Sequence, residues 1–122
     1  MLDFKYKLGI PVIDYQHKQL LTILNKLEQK ILNKKQLRNI ILQLKDCAVY
    51  HFKTEEEYFK NNNYKNMKEH IQLHNIYIQT IDYYCSGNNY DQNKIYTFLS
   101  TWFKKHVLIE DKKIIIKETL KK

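Results

Sequence analysis

The nine residues His51-Phe52-Lys53-Thr54-Glu55-Glu56-Glu57-Tyr58-Phe59 decide how the chain is read. Residues four apart on a helix lie one turn above each other, so Glu55 shares the face of His51 while Glu56 and Glu57 turn away from it. Upstream, the same spacing runs through Leu37, Ile41, Leu44 and Ala48, and it continues through His51 and Glu55 to Phe59. A helix from about Lys35 to Asn61 therefore carries a histidine and an acid where two core residues would stand. Glu56 and Glu57 are expected on the solvated face, tolerant of neutral replacement.

Three more stripes of this kind flank it. From about Asp14 to Asn33, Ile13, Leu20, Leu24, Leu27 and Ile31 alternate threes and fours, and His17 fills the missing place. From about Tyr64 to Cys85, Met67, His70, His74, Tyr77, Ile81 and Tyr84 put two histidines on adjacent turns. A last helix resumes near Asp91, with Ile95, Phe98, Trp102, His106 and Ile109 facing inward. NNNY and SGNNYDQN are the intervening breaks, with Gly87 suited to a left-handed cap. The expected fold is all-α, an up-down-up-down four-helix bundle behind a short N-terminal arm of residues 1–12.

Composition agrees with that class. The chain has 122 residues, the size of one domain, with only two glycines and one proline, so turns are few. Its formal charge of +8 invites a nucleic-acid reading, but the lysines are scattered singly or in pairs near acids and amides, as on an ordinary solvated face. No nucleic-acid partner is expected. Cys47 and Cys85 are too few and too far apart for a disulfide scaffold or a CxxC site, and Cys47 is read as a small core residue. No stretch approaches the roughly 18 apolar residues of a membrane span, nor does the charged N-terminus look like a signal peptide. A cytoplasmic location without membrane attachment is expected, with the isoleucines of KKIIIKETLKK packing over the end of the bundle.

Each of the five histidines thus falls on an interior stripe, and one stripe also carries a glutamate costly to bury unpaired. No lysine or arginine on these stripes supplies a compensating charge. A metal cation does, because neutral imidazole and carboxylate are its natural ligands. HIQLH, residues 70–74, has the spacing of a zinc-protease helix but Ile71 where that chemistry needs glutamate, and the Glu-x-x-His pairs of ferritin-like di-iron proteins are absent.

The remaining pattern is His17, His51-x-x-x-Glu55, His70-x-x-x-His74, and His106 followed five residues later by Asp111. Together with LGIPVIDYQHKQL, residues 8–20, it resembles the hemerythrin family, specifically the bacterial single-domain members, across residues 1–122. The resemblance implies two iron ions with a bridging oxo or hydroxo group: His70, His74 and His106 on one iron, His17 and His51 on the other, Glu55 and Asp111 bridging. Five imidazoles, two bridging carboxylates and the bridging oxygen leave one of twelve octahedral positions open, where dioxygen would bind. Asp111 is out of phase on a regular helix, about 140° from His106. Glu110, four after His106, competes for the role, and only the family pattern prefers Asp111. A bend, bulge or helix end is expected there.

Trp102, one turn before His106, matches an aromatic position near the family's oxygen pocket. Phe103, Phe52, Leu21 and Leu24 are read first as core. Asp14 and Gln16 are candidates to hold the outer nitrogens of metal-bound imidazoles, although helix capping accounts equally well for Asp14. The function implied is reversible dioxygen binding without obligatory turnover, for storage, delivery or sensing, with storage or delivery favoured because no signalling module is visible. The enzyme alternative is a di-iron oxidoreductase acting on peroxide, oxygen or nitric oxide, with Tyr15, Tyr58, Tyr77 and Tyr84 as an electron route. A third is iron storage or iron sensing. A monomer or small homo-oligomer is expected.

Overall fold

The computed structural model describes residues 8–29, 31–61, 67–86 and 91–107. Within them lie four helices, α1 (Pro11–Gln29), α2 (Lys34–Asn61), α3 (Met67–Ser86) and α4 (Gln92–Lys105), and no strand. Helix α1 packs on α2 and α4, and α3 packs on the same two, the cyclic arrangement of an up-down-up-down bundle.

Local chemistry sets the helix ends. Helix α1 begins at Pro11, three residues before the expected Asp14, because proline's fixed φ and missing N–H suit a first helical position. Asp14 sits inside the first turn, and its carboxylate accepts from the backbone N–H groups of Leu8 (2.7 Å) and Gly9 (3.1 Å). Gly9 has φ +86°, a left-handed conformation that favours glycine. Helix α1 stops at Gln29, short of the expected Asn33. A reciprocal cap starts α2: Asn33 Oδ1 accepts from Gln36 N–H at 2.8 Å, and Gln36 Oε1 accepts from Asn33 N–H at 3.1 Å. Ile31 is left between the two helices, fully exposed, so its place on the buried stripe is a misreading.

Helix α4 is tied to this same end of the bundle. Gln92 donates to Leu27 O (2.8 Å) and accepts from Leu32 N–H (3.0 Å), while Asp91 caps the helix through Lys94 N–H. Its buried stripe is Ile95, Leu99, Phe103, His106 and Val107. Phe98, expected inside, is 41% exposed, with its ring edge-on to that of Tyr84 at 6.2 Å. The helix is rotated so that Leu99 takes the inward place. Tyr64, Gly87, Ile109 and the isoleucines of the C-terminal stretch lie outside the described residues.

Two apolar clusters result. The larger joins Leu20, Leu24, Leu27, Leu37, Ile41, Leu44, Tyr77, Ile81, Ile95, Leu99 and Phe103 with their neighbours; the smaller is Ile10, Ile13 and Phe59. Burying each large aliphatic side chain contributes about 1.5–3 kcal/mol before conformational entropy is subtracted. Along α1 the order is Ile13, His17, Leu20, and along α2 it is Ala48, His51, Glu55, Phe59. The polar groups thus form a layer between the two clusters, held by apolar packing on both sides.

Candidate metal centre

Every helix contributes to that layer. His17 comes from α1, His51 and Glu55 from α2, His70 and His74 from α3, and His106 from the end of α4; all six are buried. Glu55 is fully enclosed, and its two oxygens face different partners. Oε1 lies 2.7 Å from His70 Nε2, 3.1 Å from His74 Nε2 and 3.8 Å from His106 Nε2. Oε2 lies 3.1 Å from His51 Nε2 and 3.7 Å from His17 Nε2. Burial by itself would raise the carboxyl's pKa; His106, His17, His51 and His70 outweigh it and hold Glu55 well below the ordinary carboxylate range.

The result is two adjoining groups of potential metal-binding atoms that share one carboxylate: Glu55 with His70, His74 and His106, and Glu55 with His17 and His51. Within each group the atoms lie within 4.8 Å of one another. Protons could join such atoms two at a time. A cation accepts several lone pairs at once, which is what three nitrogens converging on one oxygen and two on the other require.

The orientation of the rings tests this fit. Gln16 Oε1 lies 2.9 Å from His51 Nδ1, and an amide oxygen can only accept, so Nδ1 carries a proton. Gln16 is itself oriented: its Nε2 donates to Thr54 Oγ1 at 3.2 Å, and the Thr54 hydroxyl donates to Tyr50 O at 3.0 Å. With Nδ1 committed to Gln16, His51 presents its Nε2 toward Glu55, where loss of the Nε2 proton would free a lone pair for a cation. His74 repeats the arrangement, its Nδ1 donating to Glu56 Oε2 at 2.7 Å and its Nε2 facing Glu55 Oε1 and, at 3.1 Å, His106 Nε2. Lone pairs aimed at one another from outwardly anchored rings suit a cation between them. The residues present fit a metal centre.

Aromatic rings wall the layer. Phe52 stacks on His74 with centroids 3.9 Å apart and planes 8° apart, and Trp102 stacks on His106 at 4.8 Å and 11°. Phe103 stands edge-on to His17 at 5.5 Å. Behind Trp102, Tyr77 stacks at 4.3 Å and donates its hydroxyl to Leu99 O at 2.9 Å. Burial pushes the Tyr77 phenol far up, so it stays protonated as that donor.

The structure thus brings together His17, His51, Glu55, His70, His74, His106 and Trp102. Asp111 and its competitor Glu110 lie outside the described residues. At His106 and Val107 the backbone winds into a π turn, the kind of departure from regular helix that the His106–Asp111 spacing calls for. Of the two outer candidates, Gln16 holds a histidine, whereas Asp14 binds backbone at the start of α1. Glu56 corrects the reading that it merely faces water: a side chain turned from the His51 face still reaches His74 on the neighbouring helix. Phe52, read first as core, covers a ring of the centre. Thr54 was not anticipated, and no local pattern marks it, because its partner Gln16 lies on another helix.

Fold and site together define a four-helix bundle built around a histidine- and carboxylate-lined metal centre. Residues 8–115 match the family model of the hemerythrin HHE cation binding domain, and the chain belongs to the hemerythrin family. It is 31% identical to the bacteriohemerythrin of Clostridium acetobutylicum over 122 aligned positions, covering 91% of this chain and 95% of that protein. It is 27% identical to the bacteriohemerythrins of Stenotrophomonas maltophilia and Pseudomonas aeruginosa, covering 85% and 84% of this chain and 71% of each relative. Among the described residues, no helix is long and apolar enough to cross a membrane.

Proposed function

We propose that the chain, as one domain, binds dioxygen reversibly at a non-haem di-iron centre. His70, His74 and His106 would hold one iron and His17 and His51 the other, with the Glu55 and Asp111 carboxylates serving both. The observation that carries this reading is the division of Glu55: one oxygen faces three imidazoles and the other faces two. With fewer histidines on the His17 and His51 side, a metal held there would have room for a small ligand. The helix leaves regular winding at His106 and Val107, the kind of departure that an acid five positions after His106 would need.

Two ferrous ions, when bound, supply the electrons that make dioxygen binding and release possible. The protein's part is to hold the imidazoles in one tautomer and to exclude water and stray protons. Gln16 and Glu56 do the first. Phe52, Trp102 and Phe103 do the second, covering His74, His106 and His17.

Metal analysis and the electronic spectrum test this together. The iron-loaded protein is expected to hold two irons per chain, to change its spectrum on exposure to oxygen, and to regain the starting spectrum on degassing over repeated cycles. Fewer than two irons, or a change that never reverses, overturns the reading. One observation favours a second reading as an oxidoreductase: Tyr77, Trp102 and His106 form a continuous aromatic stack toward the centre. Sustained consumption of oxygen, peroxide or nitric oxide with an electron donor would distinguish it.

A further inference from the structure

One histidine in each group of the centre has its outer nitrogen held, and the two are held by different chemistry. Behind His51 stands the neutral carboxamide of Gln16; behind His74 stands the carboxylate of Glu56. We propose that Glu56 is a positioning residue that tightens the three-histidine half of the centre, so that this half fills with a divalent cation first and empties last. This rests on the metal reading given above.

Three side chains of α2 grip one imidazole of α3. Phe52 lies flat on the His74 ring and fixes its plane, with planes 8° apart. Glu56, one turn further along α2, accepts from Nδ1–H at 2.7 Å, and Glu55, between them in sequence, faces Nε2 at 3.1 Å. The ring can neither rotate about its own plane nor switch tautomer without breaking one of these contacts. A carboxylate accepting from Nδ1–H also draws that proton toward itself and increases electron density at Nε2, which a carboxamide does more weakly. The Glu56 side chain is 28% exposed while His74 is buried, so its charge is only partly screened by water where it meets the ring. His51 has the same tautomer lock without the charge. Of these two rings, then, one has its outer nitrogen against an anion and the other has it against a neutral amide.

The test is anaerobic titration of metal-free protein with Co(II), following its visible absorption and heat, alongside circular dichroism to establish folding. The wild type is expected to take two ions per chain in separate steps. Glu56→Gln, which keeps the shape and removes the charge, should weaken the tighter step about tenfold and leave the other nearly unchanged. Gln16→Glu should strengthen the weaker step and narrow the gap. Glu57→Gln, altering an exposed acid next door, should change neither. In the metal-free protein, a slowly exchanging His74 Nδ1 proton should be visible by nuclear magnetic resonance and lost in Glu56→Ala.

A folded Glu56→Gln variant with both steps unaltered overturns this proposal while leaving the di-iron reading intact. So does an equal loss in Glu57→Gln, which would reduce the effect to general surface charge. A wild-type protein that takes up fewer than two ions overturns the proposal and the metal reading together.

Discussion

His51 and Glu55 stand one turn apart on α2 with Nε2 and Oε2 3.1 Å from each other, both buried. Glu55 is also the residue whose second oxygen reaches the α3 and α4 histidines, so its loss disconnects the two halves of the centre. Glu55→Gln is expected to lower bound iron from two per chain to about one or fewer, with helicity retained. Iron analysis with circular dichroism checks this. An unchanged pair of irons would sink the bridging role.

Thr54 acts on the centre at one remove, by orienting the Gln16 amide that anchors His51. Thr54→Val keeps the shape but removes the hydroxyl, freeing Gln16 to flip. A roughly tenfold loss of metal affinity, confined to the weaker of two binding steps, is expected from such an outlying change. Global stability should fall by no more than about 1 kcal/mol, the typical worth of one hydrogen bond. Metal titration and urea unfolding separate the two effects.

Leu44 and Ile31 are both aliphatic and both fall on stripes read as buried, but Leu44 is fully enclosed and Ile31 fully exposed. Leu44→Ala should destabilise by about 2–5 kcal/mol through lost burial and a cavity. Ile31→Ser should stay within about 0.5 kcal/mol of wild type. Chemical denaturation of both variants measures the contrast.

Cys47 and Cys85 are free, half-buried thiols, and burial is the chief cause raising the pKa of each. Fewer thiolates exist at neutral pH than for an open cysteine, so alkylation should be slow. In native protein at about pH 8, modification by a maleimide or iodoacetamide is expected to run several-fold slower than after denaturation. Equal rates in the two states would show that the fold does not protect them.

Periodicity alone placed His17, His51, His70, His74 and His106 inside and paired Glu55 with His51. That was legible because a helix enforces a repeat of 3.6 residues, and six polar residues cannot occupy apolar stripes without chemical compensation. Ile31 and Phe98 fell outside the pattern for reasons that are not periodic: Ile31 lies between the end of α1 and the Asn33–Gln36 cap that starts α2, and a rotation brings Leu99 inward in place of its neighbour. The grip of Glu56 on His74 and the orientation of Gln16 by Thr54 belong wholly to the tertiary structure. These contacts join residues on different helices, and whether a carboxylate meets water or an imidazole depends on how those helices are set against each other, which no spacing within one helix records.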